Sequence, residues 1–79
     1  MLKEINNYIN EKEFRINIYK NKINIINYTK IISLEDTFIS VLTNNKKIIV
    51  KGKNLILLKI LENELLIKGE LKSLEVIDE

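Results

Sequence analysis

Short runs of alternating apolar and polar residues, polar turns set close between them, and an apolar complement dominated by isoleucine and leucine predict an all-β fold for this chain. The expected architecture is an antiparallel meander of about seven or eight short strands, sandwich-like, with a short helix at the N-terminus. Parallel pairing would need crossover connections of about a dozen residues, and no candidate connection approaches that length. The 79 residues suffice for a single domain, with 1–12 as a helix or tail and 14–77 as the β core.

The opening stretch, MLKEINNYINEK, places Leu2, Ile5 and Ile9 at helical spacing, with Tyr8 beside them. A helix this short holds in water only if its apolar side docks on something; the alternative is a frayed tail. At Phe14 the period changes to two, because Phe14, Ile16 and Ile18 alternate with Arg15, Asn17 and Tyr19 in a half-buried strand. Lys20-Asn21-Lys22 suits a hairpin turn, since Asn tolerates positive φ, and a second strand runs from Ile23 to Tyr28. Thr29 to Asp36 is less regular: Ile31, Ile32 and Leu34 are apolar, and Leu34-Glu35-Asp36 reads as a turn entry. Thr37 to Thr43 alternates again, Asn44-Asn45 turns the chain, and Lys47 to Lys51 forms the next strand with Ile48 and Val50 on one side.

Gly52 is expected to end that strand, with Lys53-Asn54 continuing the turn. Leu55 to Leu61 is apolar on both faces apart from Lys59, the pattern of a strand covered on both sides by a second sheet, the N-terminal helix or a partner chain. Two readings stand together there. The run is a central strand, or it is a surface on which Leu55, Ile56, Leu57, Leu58 and Ile60 meet another subunit or a partner protein. Glu62-Asn63 turn the chain, Glu64 to Lys68 runs back, Gly69 punctuates, and Leu71, Leu74 and Val76 complete the last strand. The step from Leu71 to Leu74 breaks strict alternation and calls for a β-bulge near Lys72-Ser73.

Composition narrows the chemistry. There is no cysteine and no histidine, which removes disulfides, thiolate and imidazole metal sites, and the usual general bases and strongest nucleophile. The carboxylates Glu35-Asp36 and Glu62 with Glu64 fall where turns are expected, and turn acids are ordinarily solvated. Ser33, Ser40 and Ser73 have no evident base, so no catalytic residue, cofactor or metal is expected. Gly52 and Gly69 lie in no phosphate-binding pattern and read as structural turn or bulge glycines.

The net charge is +2, from 13 basic and 11 acidic side chains, which is nearly balanced. Lys46, Lys47, Lys51, Lys53, Lys59, Lys68 and Lys72 cluster in the second half, where a shared sheet face would make a basic patch for nucleic acid or an anionic membrane. Glu62, Glu64, Glu70 and Glu75 are interspersed, and all five aromatics lie outside this half, so a solvated, edge-protecting face is the preferred reading and nucleic acid the alternative. No apolar stretch approaches the roughly 18 residues that span a bilayer. The N-terminus lacks the apolar core of a signal peptide, so a cytoplasmic location is expected.

Ile25 to Tyr28 (Ile-x-Asn-Tyr), the strand Ile39 to Thr43, the block Ile49-Val50-Lys51-Gly52-Lys53-Asn54-Leu55, the block Leu65-Leu66-Ile67-Lys68-Gly69-x-Leu71, and Leu74 follow one another in an order and spacing that resembles the YabP/YqfC family of sporulation proteins, its YqfC-like branch more closely. The resemblance covers roughly Phe14 to Val76. At Thr29-Lys30 the chain departs from family members that often carry a glycine or histidine. The resemblance implies a small β-rich protein made in the mother cell during endospore formation, without known enzymatic activity. It further implies work beside a membrane-associated sporulation partner or in assembly of the spore outer layers. A self-associating interaction module is the expectation that joins this to the apolar strand.

Overall fold

The computed structural model describes residues 13–78, and the expected N-terminal helix lies outside the described residues. The described residues are all-β, with six strands: β1 (Arg15–Ile18), β2 (Lys22–Ile26), β3 (Lys30–Leu34), β4 (Phe38–Leu42), β5 (Lys46–Leu61) and β6 (Glu64–Asp78). They form one sheet in the order β1-β2-β6-β5-β4-β3, and every neighbouring pair is antiparallel. The arrangement is thus a single sheet of six strands, where a sandwich-like meander of seven or eight was expected.

The difference in count lies in the glycines. Gly52 was expected to end a strand and Gly69 to separate two, yet each sits inside a long one, and β5 and β6 run 16 and 15 residues. Bulges replace the expected turns. Lys51 faces Ser73 while Gly52 faces Leu71, which leaves Lys72 unpaired, the bulge that the Leu71–Leu74 spacing requires. Two further shifts, between Lys53 and Ile56 and between Leu57 and Lys59, put the extra residue on β5. Asn54, in the first of these, has φ 53°, a conformation Asn tolerates better than most residues.

The β5–β6 ribbon carries a hairpin on each side. β2 pairs with β6 from Glu64 to Lys68, near the β5–β6 turn, and brings β1 with it. β4 pairs with β5 from Lys47 to Lys51, at the other end, and brings β3. Each end of the ribbon is therefore the middle of a four-stranded wing. The joint lies where Gly52, Leu55 and Gly69 meet and where the amides of Gly52 and Leu55 donate to the carbonyls of Thr37 and Asp36.

The core follows from the pleat. Ile23 and Ile25 of β2 lie opposite Ile67 and Leu65 of β6, and Ile39 and Val41 of β4 lie opposite Val50 and Ile48 of β5. These eight side chains and Leu55 at the joint are buried and form one cluster from wing to wing. Fully burying an aliphatic side chain of this size stabilises the fold by about 1.5–3 kcal/mol. Phe14, Ile16, Tyr28, Ile31, Leu57, Leu71 and Leu74 pack around the cluster half-buried.

Candidate functional site

Strand alternation gives the β1-β2-β6-β5 wing a second face, opposite the core. Three cross-strand rows build it: Lys22–Lys68–Ile56, Asn17–Asn24–Leu66–Lys59, and Arg15–Ile26–Glu64–Leu61. With Tyr19, Lys20 and Asn21 of the β1–β2 turn, this face forms an open groove of about 640 Å³. Its lining is Tyr19, Lys20, Asn21, Lys22, Asn24, Lys59, Leu61, Glu64 and Leu66.

A polar chain crosses the floor. The Asn17 amide donates to Oδ1 of Asn24 at 3.1 Å. The Asn24 amide in turn donates to Oε2 of Glu64 at 2.8 Å and to the Leu65 carbonyl at 3.1 Å. Asn24 is 7% exposed, so these bonds satisfy an amide that would otherwise be costly to bury. Both donors of the Asn24 amide are consumed and its carbonyl accepts from Asn17, so the acceptor capacity that remains on the floor is that of the Glu64 carboxylate.

The charge around this floor is one-sided. Lys20, Lys22 and Lys59 line the groove, and Lys68 and Arg15 share its face through the register, against Glu64 within it. On the other wing acids accompany the lysines: Lys46 pairs with Asp78, and Lys51 reaches Glu75 at 3.6 Å. The second-half lysines therefore do not share one face. The basic surface that does form joins Lys59 and Lys68 to Lys20 and Lys22 from the first half of the chain. It also contains Tyr19, an aromatic far from Lys59 in sequence. Only the cross-strand register reveals that neighbourhood, and no local sequence signal carries it.

The apolar run Leu55–Leu61 flanks the groove. It is not a strand covered on both sides. Leu55 is core and Leu57 is half-buried, whereas Ile56, Leu58, Ile60 and Leu61 are 56, 45, 59 and 52% exposed. β4 has left the β5 edge by Lys51, so among the described residues Ile56–Leu61 pairs with β6 alone. The expected interface set thus divides: Ile56, Leu58 and Ile60 are on the surface, and Leu55 and Leu57 face the core.

The remaining sites are placed as follows. Glu35 and Asp36 are exposed in the β3–β4 loop and Glu62 is exposed in the β5–β6 turn, while Glu64 is held by Asn24. Among the described residues no three acids gather as metal ligands. Gly52 and Gly69 are both at the joint, pressed against backbone. The Asn-Tyr pair that ends β2 fastens that strand to the β5–β6 turn. Asn27 (φ 66°) donates its backbone amide to the Asn63 carbonyl at 2.6 Å, and the Tyr28 hydroxyl donates to the Leu61 carbonyl at 3.1 Å. No helix among the described residues is long and apolar enough to cross a membrane. No protein-family model matches the chain, and neither the curated proteins nor the solved structures searched contain a match.

Proposed function

We propose that this protein is a non-enzymatic interaction module that self-associates through the β5 edge at Ile56–Leu61. The observation that carries this reading is the edge itself, where four large apolar side chains stand exposed within six residues whose outer side lacks a strand among the described residues. Open edges of this kind add strands from another chain unless proline, charge or a bulge prevents it. The chain has no proline, and the guards in the segment are one charge, Lys59, and the one-residue bulge between Leu57 and Lys59, which leave its four exposed apolar side chains in place. An isologous pair of such edges would run antiparallel about a two-fold axis.

The setting we propose is endospore formation, in the cytoplasm of the mother cell, beside a membrane-associated sporulation partner or in outer-layer assembly. Its support is the resemblance of the Ile25–Val76 blocks to the YabP/YqfC family. Size exclusion coupled to light scattering tests self-association: a dimer or larger assembly is expected at tens of micromolar, and Leu58→Lys is expected to return it to monomer. A wild-type chain that elutes as a monomer there refutes the edge reading. Affinity capture from sporulating cells with solubilised membranes tests the setting, and recovery of the bait alone counts against it.

A further inference from the structure

We propose that the groove on the outer face of the β1-β2-β6-β5 wing binds single-stranded nucleic acid. A base sits over the Asn24–Glu64 pair, and the backbone phosphates run across Lys22 and Lys59.

Three features of the groove select this ligand. The first is charge. Lys20, Lys22 and Lys59 line a cleft whose own carboxylate, Glu64, is tied to Asn24, while Lys68 and Arg15 extend the same face. Lys22 and Lys59 stand on strands separated by β6, about 10 Å across the sheet, so they serve successive parts of an extended polyanion rather than one compact anion.

The second feature is the polarity of the floor. A site for phosphate alone would aim donors at the ligand, but this floor presents an acceptor, the Glu64 carboxylate, whose Oε2 accepts from Asn24 while the group keeps further acceptor capacity. A ligand that fits both parts carries anionic groups at its flanks and an N–H donor at its centre. A nucleotide chain does so. A carboxylate accepts well from the two-hydrogen exocyclic amino group of cytosine, whereas thymine has no amino group and offers only its single ring N3–H.

The third feature is Tyr19 at the rim, an exposed aromatic beside Lys20 and Lys22. An aromatic face next to lysines is the usual platform on which an unpaired base stacks. An acidic peptide would satisfy the lysines but would place its carboxylates against Glu64 and would leave Tyr19 without a partner.

The test is fluorescence anisotropy with labelled oligo(dC), oligo(dT) and oligo(rC), from about 20 mM salt upward, where electrostatic affinity is greatest. The expected result is salt-dependent binding with oligo(dC) preferred over oligo(dT). Lys22→Glu is expected to weaken binding about tenfold and to flatten the salt slope by about 0.7, the share of one single-strand phosphate contact. Tyr19→Ala is expected to weaken binding at least about fivefold at any salt. Glu64→Gln is expected to narrow the dC-to-dT ratio. Lys72→Glu, the same charge change at the β6 bulge on the ribbon's other half, is expected to change affinity less than twofold. Neither Tyr19 nor Lys22 is on the β5 edge, so both variants keep the wild-type mass by light scattering, and failure here is separate from failure of self-association. No binding at low salt overturns the proposal. So does equal weakening by Lys72→Glu and Lys22→Glu, or a polyglutamate peptide that competes as well as oligo(dC). Equal affinity for dC and dT that Glu64→Gln leaves unchanged overturns the seating of the base.

Discussion

Gly52 lies against the backbone of Glu70 so closely that a Cβ on it would fall 2.1 Å from the Glu70 carbonyl oxygen. The obstacle is backbone, which cannot swing aside as a side chain can. Gly69 faces the same joint from β6 with φ 151°, and a Cβ there would meet the Asn54 oxygen and the Leu55 Cδ2 at 2.9 Å. Gly52→Ala is therefore expected to destabilise the fold by about 2–3 kcal/mol through forced backbone displacement. Gly69→Ala adds backbone strain of about 1–3 kcal/mol to its own contacts. Urea unfolding of the two variants measures both, and a Gly52→Ala midpoint equal to wild type would contradict the close approach.

Core and edge isoleucines are expected to separate cleanly. Ile25 and Ile48 are fully buried, and truncation of either to Ala leaves a cavity and costs about 2–5 kcal/mol. Ile56 and Ile60 are more than half exposed, so their truncation is expected to stay within about 0.5 kcal/mol of wild type when measured on dilute monomer. At concentrations that permit self-association the edge variants should also lose whatever extra stability the wild type gains from pairing. Thermal unfolding at two protein concentrations distinguishes the two effects.

The strands were legible because alternation is local. Phe38–Leu42 and Lys22–Ile26 are marked by residues that sit within a few positions of each other, and so is the turn at Glu62-Asn63. Merging the expected strands on either side of Gly52 was not legible. Glycine beside Lys53-Asn54 carries the same sequence signal whether the chain turns or bulges, and what decides is the Glu70 backbone arriving from β6. The exposure of Ile56, Leu58 and Ile60 was hidden for the same reason. Apolarity on both faces describes a covered strand and an open edge equally, until the pairing partner β4 is seen to stop at Lys51. The groove was the least legible feature, since Tyr19, Asn24, Lys59 and Glu64 meet only through pairings of β1, β2, β5 and β6.

The ion pairs of the other wing are expected to matter little. Lys51 and Glu75 lie 3.6 Å apart with both side chains well exposed, and Asp78 is the more exposed partner of Lys46. Water screens such pairs, and holding two long side chains together costs conformational entropy, so each contributes about 0–1 kcal/mol. Lys51→Ala and Asp78→Ala should each shift stability by less than about 0.5 kcal/mol, and raising salt should erase the difference from wild type. A loss above about 1.5 kcal/mol for either variant would mean that the pair is shielded from water to a degree its exposure does not indicate.

Asn24 is the polar residue whose removal should be felt most. Its side chain spends its carbonyl on Asn17 and both amide hydrogens on Glu64 and the Leu65 carbonyl, and it is nearly buried while doing so. Asn24→Ala strands three partners at once, but the groove beside them is open, and water reaches the Asn17 amide and the Glu64 carboxylate. The Leu65 carbonyl keeps its place in the sheet. The expected cost is therefore about 1–2 kcal/mol, below the upper end for a buried network. A double-mutant cycle with Glu64→Ala isolates the bond between Asn24 and the carboxylate. Its coupling is expected near 1 kcal/mol, because one partner is charged and only half-buried. Coupling indistinguishable from zero would show that the carboxylate is held by solvent rather than by Asn24, and that the groove floor is not organised by this pair.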